Sequence, residues 1–124
     1  MRQLGQLEAE VMNRVWSWDR PVLVREVLED LQQDRAIAYT TVMTVMDNLH
    51  GKALLVRERE GRAYRYSAVQ SREAHTAELM EEVLASSADR SATLMHFVQQ
   101  IDQEEFAALR AVISRRGRTK DPAE

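Results

Sequence analysis

The chain has 124 residues, 44% hydrophobic and 30% charged, with a formal net charge of −3, which fits one ordinary globular domain or a small domain with an oligomerising appendage. It contains no cysteine, which excludes disulfides and thiolate metal sites. No apolar run approaches the roughly 18 residues of a membrane span, and Met1-Arg2-Gln3-Leu4-Gly5 lacks a signal-peptide core, so a cytoplasmic protein with no membrane partner is expected.

Leu4, Leu7, Val11 and Val15 recur at helical spacing with Met12 and Trp16 beside them, which places a first helix at about 4–17. Glu8, Glu10 and Arg14 fall on its wet side. Pro21 cannot continue a helix, and Pro21-Val22-Leu23 suffices for one short extended segment. A second helix at about 24–33 turns Val24, Val27, Leu28 and Leu31 inward and Arg25, Glu29 and Asp30 outward. Leu23 offers no side-chain cap at its start, a local weakness of about 1 kcal/mol.

The next helix, at about 39–50, has two faces of different chemistry. Val42, Val45, Met46 and Leu49 form a buried stripe, while Thr40, Thr44 and Asp47 lie opposite, flanked by Thr41, Met43 and Asn48. Threonines are mediocre helix formers, but their short hydroxyl and methyl groups suit close approach to base edges in a DNA major groove. Gly51 stands where a helix end favours a left-handed residue. Leu55–Glu60 and Ala63–Ser67 then alternate around a Glu-Gly-Arg turn and read as a β-hairpin. Three helices and a hairpin in this order give a winged helix-turn-helix domain over 1–70, with the threonine face as the reading surface and Arg62 at the wing tip.

From Ser71 onward the pattern is helical. Ser71 is placed to cap a helix bearing Leu79, Met80, Val83 and Leu84, and Ser91 one bearing Leu94, Phe97, Val98 and Ile101. Asp102-Gln103-Glu104-Glu105 forms a capping box ahead of Phe106, Leu109, Val112 and Ile113. Helices this few make a poor core alone, so 71–116 reads as a dimerisation region. Its expected interface is Met80, Val83, Leu84, Leu94, Phe97, Val98, Ile101, Phe106, Leu109 and Ile113, with 117–124 a flexible tail. The fold class expected is mainly α with a small β-hairpin.

Charge is distributed unevenly. Residues 35–66 hold six basic and three acidic side chains, residues 71–124 seven basic and ten acidic. A bound duplex senses charge within a Debye length of about 8 Å, so the overall acidity does not exclude DNA. Lys52, Arg62 and Arg65 are candidate backbone contacts. His50, His75 and His96 form no metal-binding motif, and no catalytic set stands out, so no metal, cofactor or enzymatic activity is expected.

Leu7-Glu8-Ala9-Glu10-Val11-Met12-Asn13-Arg14-Val15-Trp16, Tyr39 to Leu49, Lys52-Ala53-Leu54-Leu55 and Gly61-Arg62-Ala63-Tyr64-Arg65-Tyr66 together resemble the penicillinase-repressor family of bacterial transcription factors. His96-Phe97-Val98, Glu104-Glu105 and Leu109-Arg110 match more loosely, and the likeness extends to about residue 116. The resemblance implies a homodimeric winged-helix repressor of a short inverted-repeat double-stranded DNA operator, in genes for β-lactam resistance or envelope stress. It implies base or phosphate contacts from Thr41 and Thr44 and minor-groove approach by Arg62. In several members a sensor-activated protease triggers cleavage at an Asn-Phe bond, which His96-Phe97 matches with histidine in place of asparagine. The copper-responsive branch uses cysteines this chain lacks. The family often carries arginine where Asn48 stands, which removes one candidate contact here. The expected DNA-binding set is thus Thr40, Thr41, Met43, Thr44, Asn48, Lys52, Arg62 and Arg65. A winged-helix protein–protein adaptor that does not bind DNA is the alternative, favoured by the absence of Lys or Arg within residues 36–51.

Overall fold

The computed structural model describes residues 4–120. Helix α1 spans Gln6–Trp18, strand β1 Val22–Leu23, helix α2 Val24–Leu31 and helix α3 Tyr39–Gly51; strands β2 (Leu55–Glu60) and β3 (Ala63–Ala68) form the hairpin. The sheet is antiparallel with β3 central, in the order β1-β3-β2. The short extended segment after Pro21 is therefore a strand, pairing Val22 with Tyr66 and Leu23 with Arg65.

The expected stripes converge on one core. Val11, Met12 and Val15 from α1, Val24, Val27 and Leu31 from α2, and Val42, Met46 and Leu49 from α3 are buried with Val22, Leu55 and Tyr66. Full burial of a side chain such as Met46 or Leu49 stabilises the domain by about 1.5–3 kcal/mol. That anchor fixes the inner face of α3 and leaves its outer face free for residues chosen on other grounds. The wet side of α1 is less idle than its pattern suggests. Arg14 Nε meets Asp30 of α2 at 2.5 Å, Glu10 meets Arg35 at 2.6 Å, and Glu8 meets Lys52 at 2.7 Å.

Helix ends depart from the expected pattern at α2, α3 and α5. At α2, the Glu26 carboxylate accepts the Leu23 N–H at 2.8 Å, so a side chain within the first turn makes good part of the missing cap. That hydrogen bond, followed by one from Arg20, holds the Glu26 carboxyl below the usual carboxylate range. At α3, Gly51 remains helical and Ala53 takes the left-handed conformation with φ 65°. The Leu54 N–H donates to the Leu49 carbonyl at 3.0 Å and the Ala53 N–H to the His50 carbonyl at 3.0 Å, the paired bonds of a Schellman motif. Its left-handed position is thus two residues later than Gly51, and it is filled by a side chain that disfavours it. Ala53→Gly should raise stability by about 0.5–1 kcal/mol. Urea unfolding followed by circular dichroism measures this, and a loss of stability would contradict it.

Helix α4 covers Arg72–Ala85, and the Ala74 N–H donates to Ser71 Oγ at 3.0 Å. The chain divides into two compact units inside this helix, after Glu81, rather than at its start. The early turns of α4 belong with the first unit because His75, only 4% exposed, lies against Trp16 with ring centroids 5.4 Å apart. Trp16 Nε1 also donates to the Gln70 carbonyl at 3.0 Å.

The second unit holds helix α5 (Arg90–Gln100) and helix α6 (Gln103–Lys120). Asp89, not Ser91, caps α5: its Oδ1 accepts the Ala92 N–H at 3.1 Å, because the helix begins one residue before Ser91. The capping box at α6 is formed in both directions, Glu105 N–H to Asp102 Oδ1 at 2.7 Å and Asp102 N–H to Glu105 Oε1 at 3.1 Å. Helix α6 continues through Gly117 to Lys120, into the stretch 117–124 expected as a tail; residues 121–124 lie outside the described residues. Among those described, no helix is long and apolar enough to cross a membrane.

Candidate nucleic-acid interface

With Val42, Met46 and Leu49 buried, the helical period turns Thr40, Thr41, Met43, Thr44, Asp47 and Asn48 outward, and all six are exposed. Among the described residues, no hydrogen bond engages the hydroxyl of Thr40, Thr41 or Thr44. Ala38 provides no side-chain cap at the start of α3, so this end of the helix keeps backbone N–H groups and a positive dipole end open to an anion.

The hairpin stands beside this face. Gly61 turns it with φ 64°, a conformation glycine adopts without strain in a two-residue hairpin loop. Tyr64 and Tyr66 share one face of β3 and meet edge to face, ring centroids 6.4 Å apart. Arg57, across from Tyr66, and Arg59, across from Tyr64, project over the same face, 4.2 Å and 5.8 Å from the Tyr64 ring.

Between α3 and the wing runs an open groove of about 510 Å³, reached by Met43, Thr44, Arg25, Arg57, Arg62 and Tyr64. The structure thus brings Met43 and Thr44 together with Arg62, residues close to twenty apart in sequence but on facing walls. Arg25, from the first turn of α2, is the functional candidate that sequence reasoning missed, because periodicity marks it only as one of several outward residues. The available signal is its place at the start of the helix preceding α3, since in helix-turn-helix docking it is the first helix of the pair that meets the backbone. Among the described residues no ion pair or hydrogen bond engages the Arg25 or Arg62 side chain.

Other expected contacts are placed differently. Lys52 is tied back to the body: its Nζ donates to Glu8 Oε2 at 2.7 Å. Arg65 points to the opposite face of β3 from the tyrosines, as the alternation requires, and its guanidinium donates to Glu60. That bond keeps the Arg65 pKa above the ordinary arginine value. Arg57 Nη1 donates to Asp47 Oδ1 at 2.7 Å and lies 3.4 Å from Tyr66 Oη. These two bonds, that to Tyr66 first, likewise raise the Arg57 pKa.

Much of the expected dimer interface is open to solvent. Val83 is 72% exposed, Phe97 45%, Phe106 46% and Ile113 60%, and among the described residues neither α5 nor α6 contributes a buried side chain. Met80, Leu94 and Leu109 are exposed as well, whereas Leu84, Val98 and Ile101 are half-buried. His96 and Phe97 lie within α5, both exposed.

Comparison with known proteins gives one consistent answer. A family model described as penicillinase repressor matches residues 4–115. The transcriptional regulator BlaI of Mycobacterium tuberculosis is 42% identical over 117 residues, covering 92% of this chain and 85% of that protein. The solution structure of the DNA-binding domain of the repressor BlaI matches with a TM-score of 0.51 at 26% identity, over 56% of this chain and 84% of its own. A mutant of S. aureus MepR bound to an oligodeoxyribonucleotide shares the fold, with a TM-score of 0.50 at 13% identity over 94% of this chain and 79% of its own.

Proposed function

The chain belongs to the penicillinase repressor family, and from that premise we propose that it binds an inverted-repeat DNA operator as a homodimer and represses the genes behind it. It is a transcriptional repressor of the BlaI type on a winged-helix fold. The observation that carries the reading is the juxtaposition on one side of the domain of the unengaged threonine face of α3 and a groove walled by Arg25 and Arg62. In this pose α3 enters the major groove, where Thr40, Thr41, Thr44 and Asn48 meet base edges and Met43 meets thymine methyls. The wing reaches toward the adjacent minor groove, and the phosphate backbone between them passes the two arginines.

Dimerisation is supported by the apolar side chains that α5 and α6 leave open, since a patch of this kind is the mark of an association surface. Two-fold pairing through it would repeat the reading helix on each half of a palindromic site. The genes controlled serve β-lactam resistance or envelope stress, and a sensor-activated protease relieves repression by cutting between His96 and Phe97. Because that bond lies within α5, cleavage requires α5 to open locally, and the cut separates residues that the dimer needs in one helix.

A gel-shift titration of the DNA upstream of the protein's own gene tests the reading. Retardation is expected below micromolar dimer and should weaken steeply with salt, each phosphate contact adding about 0.9 to the log–log slope. Absence of a shift at micromolar dimer would transfer the wing and reading helix to a protein–protein adaptor role.

A further inference from the structure

Asp47 is the acidic residue of α3, and it lies on the outward face of a helix that carries no lysine or arginine. A bare carboxylate there would oppose the approach of a phosphate backbone. It is not bare. Arg57 reaches across from β2, and its guanidinium sits against the Tyr64 ring at 4.2 Å with Nη1 at 2.7 Å from Asp47 Oδ1 and 3.4 Å from Tyr66 Oη. The Arg57 side chain is 26% exposed while that of Asp47 is 62% exposed, so the hairpin holds the arginine and the arginine holds the carboxylate. Arg25 and Arg62, in the same groove, have no such engagements.

A solvated ion pair contributes little to stability, so the arrangement needs another reason. Reading a major groove with α3 and a neighbouring groove with the wing demands a fixed spacing between them, and this pair is a direct side-chain link from one to the other. We propose that the Asp47–Arg57 pair, seated on Tyr64 and Tyr66, is a specificity-determining strut. It fixes the wing against the reading helix, cancels the carboxylate on the reading face, and stays closed on DNA. Arg57 is thereby a positioning residue and not a phosphate contact. The inference rests on the reading of α3 as the DNA-reading helix.

A double-mutant cycle with Arg57→Gln and Asp47→Asn tests it, with affinity for operator and for random duplex measured across a salt series. Arg57→Gln should weaken operator binding about tenfold by leaving Asp47 unpaired, a coupling within the usual range for contacting charges, while lowering the salt slope by less than 1. Asp47→Asn should strengthen binding to random duplex a few-fold and lower the operator-to-random ratio about tenfold. The double variant should bind the operator about as well as Asp47→Asn alone, and Arg57→Lys should recover part of the ratio. Additive effects would overturn the strut. So would a slope lowered by about 1.8 in Arg57→Gln, the value expected if Arg57 neutralised one phosphate in each half of a dimer. Thermal unfolding of each variant checks its fold, and if Arg57→Gln does not fold, the cycle built on Arg57→Met, which also removes the charge but keeps a long apolar stem over Tyr64, decides by the same criteria. A wild-type protein that fails to bind the operator sinks the DNA reading itself; a wild-type shift with no coupling sinks the strut alone.

Discussion

Replacing Arg25 and Arg62 together by alanine is expected to lower operator affinity on the order of a thousand-fold at physiological salt. Each arginine neutralising one phosphate contributes about 0.9 to the slope of log affinity against log salt. Between 1 M and 0.15 M salt that is worth about fivefold, and a dimer carries four such arginines, which gives the thousand-fold weakening and a slope smaller by about 3.6. The effect should be uniform across DNA sequences, because phosphate contacts carry no base information. Thr44→Ala should behave in the opposite sense, relaxing discrimination with the salt slope unchanged. Both arginines are exposed and make no ion pair among the described residues, so thermal stability should not move. Fluorescence anisotropy over a salt series measures both quantities. An unchanged slope in the double variant would show that the backbone does not pass through this groove.

The residues that sequence reasoning places well are those whose information is local. The i, i+3, i+4, i+7 stripe of Val42, Val45, Met46 and Leu49 dictates which side of α3 is wet, and the structure has Val42, Met46 and Leu49 buried with the threonines outside. The hairpin is legible from alternation and the Gly61 turn, and the box at Asp102 from two side chains three residues apart. Charges are harder to read, because what a surface cation does depends on what stands opposite. Lys52 follows a reading helix and so reads as a phosphate contact, yet Glu8, forty-four positions away, takes its ammonium. Arg57 alternates with glutamates like a solvated strand residue, yet it reaches Asp47 on α3. Arg25 is merely outward until the wing that faces it is in place. Ala53 shows the same limit on a smaller scale: core packing of Leu49 and Leu55, rather than the position of glycine, decides where α3 stops.

The other large effect concerns the second unit. Phe97→Glu with Ile113→Glu should convert the protein to a monomer at micromolar concentration and lower operator affinity by a factor of about 10² to 10⁴. Neither side chain is needed to hold its own helix: α5 is capped by Asp89 and α6 by the Asp102–Glu105 pair, and both residues face solvent within the chain. Two carboxylates per chain placed in an apolar contact would be desolvated without partners, which association cannot offset. Once dimerisation fails, the second half-site is bound from bulk solution instead of at the millimolar effective concentration that a tether supplies. The winged-helix unit, with its own buried core, should keep its unfolding midpoint and retain half-site binding with an undiminished salt slope per monomer. Sedimentation velocity gives the oligomeric state, and titration of operator and isolated half-site separates avidity from contact. A variant that sediments as a monomer but holds full operator affinity would mean that one reading helix and one wing suffice. A variant that remains dimeric would move the interface away from the faces of α5 and α6 that carry Phe97 and Ile113.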